Sequence, residues 1–217
     1  MDRSTRVKFE AEYTPIVSEL GDWWDQHVEY SKFSRQGIDI VCAHFEQKQH
    51  NKPKILANII ICNGFGDTFL RYAEITKSLY ETGCFNIHHY DHQSQGLSGR
   101  WLQESQSIWV NSFEDYIDDF IYFATSLSST STSSSPLPIY VLGYCLGGLI
   151  TSIVMSRLPN LIQRCILISP MLRMKCSIKY FNYKLTIPQP IARWLAMCAC
   201  WAGMGTVSII LFILLLL

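Results

Sequence analysis

The chain has 217 residues, 48% of them hydrophobic and 17% charged, which suits one domain with a sizeable core and excludes disordered and collagen-like proteins. Its 18 basic and 18 acidic residues balance, so nothing indicates a nucleic-acid partner. The eight cysteines follow a charged N-terminus without a signal-peptide run, and they form no CxxC pair and no zinc-spaced cluster. We therefore predict reduced thiols, no metal and no cofactor, with four of the cysteines as small core residues: Cys42, Cys62, Cys84 and Cys165.

Strands and helices alternate along the first part of the chain. Hydrophobic periodicity predicts a half-buried strand over Gly37 to Phe45, a buried strand over Ile55 to Cys62, an amphipathic helix over Leu70 to Glu81 and a strand over Cys84 to Tyr90. A second amphipathic helix begins behind Ser112, which is a suitable N-cap. The Ser/Thr tract that follows, Ser126 to Ser135, predicts a flexible surface connection.

The alternation then resumes. We predict a strand over Pro138 to Gly143, a helix over Leu146 to Arg157 and a buried strand over Cys165 to Ser169. This order implies an α/β fold with a mostly parallel sheet and helices on both faces. We divide the chain into an N-terminal segment (1–36), the α/β core (37–186) and a C-terminal segment (187–217).

Three turns at predicted strand ends carry unusual sequences. Gly143-Tyr144-Cys145-Leu146-Gly147 has the form of a nucleophile elbow, in which a strained central residue projects between two small ones. The central residue is Cys145, and a thiol at a helix N-terminus is favoured as thiolate. The other two turns are Asn63-Gly64-Phe65-Gly66 and the segment from Asp91 to Arg100. Functional residues gather at such strand ends in parallel sheets.

The motifs NGFGDTFLRYAEITKSLYETG, YDHQSQGLSGR and GYCLGG, in this order, resemble the α/β-hydrolase branch that contains monoacylglycerol lipases and bacterial lysophospholipases, the serine aminopeptidase S33 family. The resemblance implies hydrolysis of an acyl ester of a lipid. It places Cys145 where the family has its serine, and the backbone amides of Phe65 and Leu146 where the oxyanion is held. It also implies that Asp91 and His92 shape a loop and are not the triad acid and base.

The triad order on this fold is nucleophile, then acid, then histidine. No Asp, Glu or His follows Cys145 in these 217 residues, so neither the acid nor the base of the triad can be assigned. His92 is the best-placed substitute base, whereas His88 and His89 are predicted to be core residues on opposite faces of their strand. We expect the chain to lack the last strands of the fold, which leaves Cys165 to Ser169 as an apolar sheet edge.

The C-terminal segment is apolar and uncharged from Trp194 to Leu217, which is long enough for a membrane-spanning helix. Seven cations precede it after Cys145, as expected for a cytoplasmic flank. This pattern predicts a tail-anchored protein whose hydrolase part is cytoplasmic. Alternatively, residues Ile187 to Gly203 form a lipid-docking cap helix and the leucine-rich end is not native.

Two hypotheses follow from the sequence. In the first, the chain is a lysophospholipase-like acyl-ester hydrolase that is weak or inactive because the acid and base are absent. In the second, it is a non-catalytic, membrane-anchored pseudo-hydrolase that binds lipid or protein.

Overall fold

The computed structural model describes residues 18–47, 54–103, 107–129, 136–172, 177–180 and 183–186. Residues 18–27 form helix α1. The other helices are a short 3-10 helix (Phe69–Tyr72), α2 (Ala73–Glu81), α3 (Phe113–Ser129) and α4 (Leu146–Arg157). The strands are β1 (Glu29–Arg35), β2 (Ile38–Phe45), β3 (Ala57–Cys62), β4 (Phe85–Tyr90), β5 (Ile139–Tyr144), β6 (Arg164–Ile168), β7 (Ser177–Tyr180) and β8 (Tyr183–Thr186).

Six strands form one sheet in the order β1-β2-β4-β3-β5-β6. Strands β4, β3, β5 and β6 are parallel, and the β1-β2 hairpin adds two antiparallel strands at one side. β7 and β8 pair separately as a short antiparallel hairpin. The predicted α/β architecture with a mostly parallel sheet is therefore confirmed.

The core has one apolar layer on each face of the sheet. On one face, α3 and α4 cover strand residues such as Ile60 and Val141. On the other, α1 and α2 cover Ile59 and Ile61, with Trp24 of α1 buried among them. Successive residues of β3 thus enter opposite layers, and all six of its residues are buried, as its unbroken apolar sequence predicted.

The predicted elements between residues 37 and 169 are present, with bounds shifted by a residue or two at most ends. The prediction for the Ser/Thr tract is wrong in part: Ser126 to Ser129 are the last turn of α3 and not part of a flexible connection. Leu127 is buried in the core, and the Ser126 hydroxyl donates to the carbonyl oxygen of Phe123 at 2.7 Å. Hydrogen bonding and burial thus extend this helix into the Ser/Thr tract, whose residues 130–135 lie outside the described residues.

Three features were not predicted from the sequence: helix α1, strand β1 and the β7-β8 hairpin. α1 and β1 come from the segment assigned to residues 1–36, and β1 pairs with β2 along its whole length. The polar composition of β1 hides it, because most of its residues are exposed at the edge of the sheet. The proposed segment boundaries stay predictions.

Strand β6 lies at the other edge of the six-stranded sheet, as expected for an apolar edge, but the prediction that it is a buried strand is wrong, because no described strand covers it on that side. Ile166 is 65% exposed, and Leu167 and Ile168 are also exposed. Whether the chain lacks the last strands of the fold stays a prediction.

The predicted membrane location is corrected. Within the part of the chain that the structure describes, no helix has both the length and the apolar character needed to cross a bilayer. The longest described helix, α3, has 17 residues and carries several carboxylates. The predicted anchor at 194–217 and the alternative cap helix at 187–203 both lie outside the described residues.

Candidate active site

The elbow between β5 and α4 has the strained geometry predicted from its sequence. Cys145 lies between the last residue of β5 and the first residue of α4, with φ 51° and ψ −108°. A positive φ in a residue with a Cβ costs about 1–3 kcal/mol and persists only where its surroundings enforce it. The thiol is partly exposed, whereas the Cys42 and Cys62 thiols are buried and burial raises the pKa of each to about 12. The backbone of Cys145 is thus strained, and its thiol is accessible.

Two glycines make this turn possible. A Cβ on Gly147 would lie 2.1 Å from the carbonyl oxygen of Cys62, and a Cβ on Gly143 would lie 2.9 Å from the carbonyl oxygen of Gly147. Both distances are shorter than real Cβ contacts, and both opposing atoms belong to the backbone. The elbow therefore requires glycine on each side of Cys145, as the G-x-C-x-G pattern predicted.

The loop after β3 is attached directly to the elbow. The amide of Gly147 donates to the carbonyl oxygen of Asn63 at 2.9 Å. Gly64 approaches Tyr144 so closely that an added Cβ would lie 2.9 Å from its ring. The turn from Asn63 to Gly66 therefore lies beside Cys145, where the family resemblance expected it.

Most amides of this turn are already engaged. Gly64 donates its amide hydrogen to the Tyr72 hydroxyl at 3.2 Å, and that hydroxyl donates to the Asp67 carboxylate at 3.0 Å. Gly66 donates to the side-chain oxygen of Gln95 at 2.6 Å, and the Asp67 amide donates to the Gly64 carbonyl at 3.3 Å. Each peptide that flanks Phe65 is thus held by a defined partner.

The amides of Phe65 and Leu146 differ from their neighbours. Among the described residues, neither has a hydrogen-bond acceptor. Phe65 lies in the turn held beside the elbow, and Leu146 follows Cys145 as the first residue of α4. Two unengaged backbone donors next to a thiol are the arrangement that stabilises a tetrahedral oxyanion. Their role as the oxyanion hole stays a prediction that this arrangement supports.

Asp91 organises the loops behind the turn. Its buried carboxylate accepts hydrogen bonds from the amides of Phe69 at 2.7 Å and Leu97 at 2.8 Å. The Thr68 hydroxyl and the Asn63 amide group each donate to it at 3.0 Å. Burial raises its pKa to about 6, and these donors oppose the rise. All four bonds join neighbouring loops, in agreement with the expectation that Asp91 shapes a loop.

His92 is fully buried below the turn. Its Nε2 lies 3.0 Å from the carbonyl oxygen of Asn63, so this nitrogen carries the hydrogen and donates. Its Nδ1 has no partner among the described residues, and burial lowers the pKa of the imidazole to about 4. The ring therefore supports the same carbonyl that receives the Gly147 amide. Its alternative role as a substitute base stays a prediction.

His88 and His89 are core residues on opposite faces of β4, as predicted. Nδ1 of His88 lies 3.0 Å from Nδ1 of His44, whereas Nε2 of His89 lies 2.9 Å from the Thr76 hydroxyl on the α2 side. Within the described residues, no three His, Cys, Asp or Glu side chains are arranged to hold a metal ion.

Three side chains of the site were not found from the sequence: Tyr72, Gln95 and Tyr116. Tyr72 falls in the helix predicted over Leu70 to Glu81 and Tyr116 in the helix predicted behind Ser112, and neither pattern indicated a role at the site. Gln95 lies inside the DHQSQGLSG turn, which gave a signal for a special loop but none for its partner. The contacts of Gln95 join segments far apart in the chain, and those of Tyr72 cross a turn, so the periodicity of helices and strands gives no sign of them.

Fold and site together define an α/β-hydrolase with a cysteine at the nucleophile elbow. The chain belongs to the family described as serine aminopeptidase, S33, whose model matches residues 53–205.

Individual relatives agree with this assignment. The chain is 29% identical over 173 residues to lysophospholipase L2 of Escherichia coli K12, covering 78% of this chain and 47% of that protein. It is 27% identical over 132 residues to a monoglyceride lipase homolog of Monkeypox virus, covering 61% of this chain and 43% of that protein. The chain thus spans about half the length of these curated relatives.

Among solved structures, a soluble variant of monoglyceride lipase from Saccharomyces cerevisiae, in complex with a substrate analog, has the same fold. Its TM-score is 0.59 at 17% identity, and the match covers 80% of this chain and 53% of that one.

Proposed function

We propose that the chain accepts an acyl group from a lipid ester with a single accessible acyl chain, and that Cys145 is the acceptor. The observation that carries this proposal is the accessible thiol in a strained elbow beside two unengaged amides. The matched relatives are named as a lysophospholipase and a monoglyceride lipase homolog, which supports a monoacyl ester as the substrate class.

The chemistry of the first step needs few groups. The Cys145 thiolate adds to the ester carbonyl carbon, and the amides of Phe65 and Leu146 hold the resulting oxyanion. The C–O bond then breaks, the leaving alkoxide takes a proton from water, and an acyl thioester remains on Cys145. Release of the acyl group requires water activated by a base, and no Asp, Glu or His follows Asp119 in these 217 residues. We therefore infer that acylation of this chain is faster than deacylation.

The test is a rapid-mixing experiment with p-nitrophenyl butyrate on the 217-residue chain. We expect a burst of about one equivalent of nitrophenol followed by little turnover, as for any acyl-enzyme that accumulates. Peptide mass spectrometry should find the butyryl group on Cys145, and Cys145→Ala should abolish the burst. Cys84 and Cys165 are partly exposed and not core residues as predicted, so they serve as internal controls for unassisted thiol acylation. Labelling spread evenly over these three cysteines would contradict the proposal.

A second candidate is that this 217-residue chain, which has no Asp, Glu or His after the elbow, binds lipid or protein without catalysis. This candidate predicts saturable binding of a monoalkyl glycerol ether, which cannot be hydrolysed, together with no burst. Under the first proposal, Cys145→Ala abolishes acylation but keeps binding of the ether.

A further inference from the structure

Gln95 joins the candidate oxyanion turn to helix α3. Its side-chain oxygen accepts the Gly66 amide hydrogen at 2.6 Å, and its side-chain nitrogen donates to the Tyr116 hydroxyl at 3.1 Å. Gln95 is 1% exposed and Tyr116 is 3% exposed, so water does not compete for either group. Of the bonds that hold the turn, the one from Gly66 is the shortest.

The turn needs such a support at this point. Gly66 has φ +75°, is exposed, and an added Cβ would meet only one side-chain atom, at 3.8 Å. Packing therefore does little to fix the Phe65–Gly66 peptide, and glycine tolerates many backbone angles. The hydrogen bond to Gln95 is the contact that sets the orientation of this peptide.

We propose that Gln95 is a positioning residue for acylation, which holds the Phe65 amide in the direction of the oxyanion. The inference rests on the proposed function at Cys145. The Gly64–Phe65 peptide, which carries the Phe65 amide, is held through its carbonyl by the Asp67 amide at 3.3 Å, and the adjoining Phe65–Gly66 peptide is held by Gln95 at 2.6 Å. A single bond of 3.3 Å holds the first peptide weakly, so the short Gln95 bond to the adjoining peptide restricts its rotation, and the Phe65 amide has no competing acceptor in the described residues. Preorganised donors of this kind stabilise developing negative charge without reorganisation.

Tyr116 supports the orientation of the Gln95 side-chain amide that the Gly66 amide requires. A glutamine side chain has an oxygen that accepts and a nitrogen that donates, at similar positions. The Gly66 amide can only donate, so the Gln95 oxygen faces the turn, and the Gln95 nitrogen donates to the Tyr116 hydroxyl. Removing this hydroxyl leaves the orientation of Gln95 without its second support, so a smaller effect on acylation is expected.

Gln93 is a matched control two residues away. It has the same side chain in the same loop and is 4% exposed. Its partners are the Asp119 carboxylate at 2.9 Å and the Trp101 indole at 2.8 Å, and neither belongs to the turn. Gln93→Met and Gln95→Met remove similar polar groups from similar surroundings, so the difference between the two variants isolates the contact with Gly66.

The experiment measures two reactions of Cys145 in the full chain. Acylation by p-nitrophenyl butyrate needs an oxyanion hole, whereas alkylation by iodoacetamide needs only an accessible thiolate. We expect Gln95→Met to slow acylation by about tenfold or more, and Tyr116→Phe to slow it less. Neither variant should change the alkylation rate, and Gln93→Met should change neither reaction. The Gly66 amide should also exchange with solvent faster in Gln95→Met, as measured by NMR.

The outcomes are distinct. Acylation at the wild-type rate in Gln95→Met, or an equal loss in Gln93→Met, would overturn the positioning role. Equal slowing of acylation and alkylation in Gln95→Met would also overturn it, since the elbow itself would then be disturbed. Absence of acylation in the wild-type chain would instead overturn the proposed function, and that result requires no variant.

Discussion

The amide of Gly147 and the carbonyl oxygen of Asn63 are joined by a hydrogen bond of 2.9 Å, which connects the first turn of α4 to the end of β3. The same carbonyl accepts from Nε2 of His92 at 3.0 Å. This contact brings the turn that contains Phe65 against the elbow that contains Cys145. It exists only because the helix can approach the strand closely at a residue without a side chain.

Replacing Gly147 with alanine should therefore be strongly destabilising. The new Cβ would lie 2.1 Å from the Cys62 carbonyl oxygen and 2.7 Å from that of Asn63, and both atoms belong to the core strand region and cannot move aside. We expect the free energy of unfolding, measured by urea titration, to fall by roughly 3 kcal/mol or more. The control is Gly21→Ala in helix α1, where nothing lies within 4 Å of the added Cβ. That variant should be slightly more stable than wild type, because alanine favours the helix. An unchanged midpoint for Gly147→Ala would show that the elbow does not form as described.

The stability of the fold should also fall in acid, because four imidazoles are held neutral. Burial lowers the pKa of His89 to about 3 and that of His92 to about 4. Burial lowers the pKa values of His44 and His88 as well. A histidine in the unfolded chain titrates near pH 6.5, so between that pH and the folded pKa values the unfolded chain binds more protons. The stabilisation is complete above about pH 6.5 and is lost as the pH falls.

Two carboxyl groups act in the opposite direction. Burial raises the pKa of Asp91 and of Asp119 to about 6, so these groups favour the folded chain at low pH and lose that contribution as the pH rises through about 6. The histidines outweigh the two carboxyl groups, since the pKa values of His89 and His92 are displaced at least as far as those of Asp91 and Asp119, and His44 and His88 add to them in the same direction. We expect a lower urea midpoint at about pH 5 than at about pH 7.5.

His89→Leu offers a specific check of this sign. Leucine suits the surroundings of His89, which include the rings of Trp24, Phe45 and Phe69. The Thr76 hydroxyl keeps its own acceptor, the Tyr72 carbonyl oxygen at 2.7 Å. The variant should lose stability less steeply than wild type between the two pH values. A steeper loss would mean that His89 is not held neutral in the fold.

Much of the fold could be predicted because the apolar composition of the central strands reflects their burial. β3 and β5 are apolar runs between turn residues, and the glycines at 143 and 147 mark the elbow without any knowledge of the sheet. Strand β1 escaped prediction because an exposed edge strand needs no apolar pattern. The last turn of α3 was missed because its serines bond back to their own helix.

The site was predictable only in part for a different reason. The positions of Cys145, Phe65 and Leu146 follow from local turn chemistry and from family resemblance. The residues that hold them are joined over long sequence separations, as Gly66 and Gln95 are over 29 positions. The sequence of a loop motif does not indicate which backbone group a polar side chain will hydrogen-bond. The contact between Gln95 and the turn could therefore be identified only from the structure.

Restoring the serine of the family at position 145 should weaken the chain's acylation. A thiol attacks an activated ester as thiolate, whereas a serine hydroxyl needs a general base to take its proton. No Asp, Glu or His follows Asp119 in the 217 residues, so the hydroxyl would lack a base in the order that this fold uses. A positioned base contributes about 10²–10⁴-fold to the rate. The rate of the p-nitrophenyl butyrate burst should therefore be at least about a hundredfold lower in Cys145→Ser than in the wild-type chain. Its urea midpoint should stay close to that of wild type, because the two side chains are similar in size. A burst as fast as that of the wild-type chain would reveal a working base among the upstream histidines, and His92→Asn in the Cys145→Ser background would then identify or exclude His92 as that base.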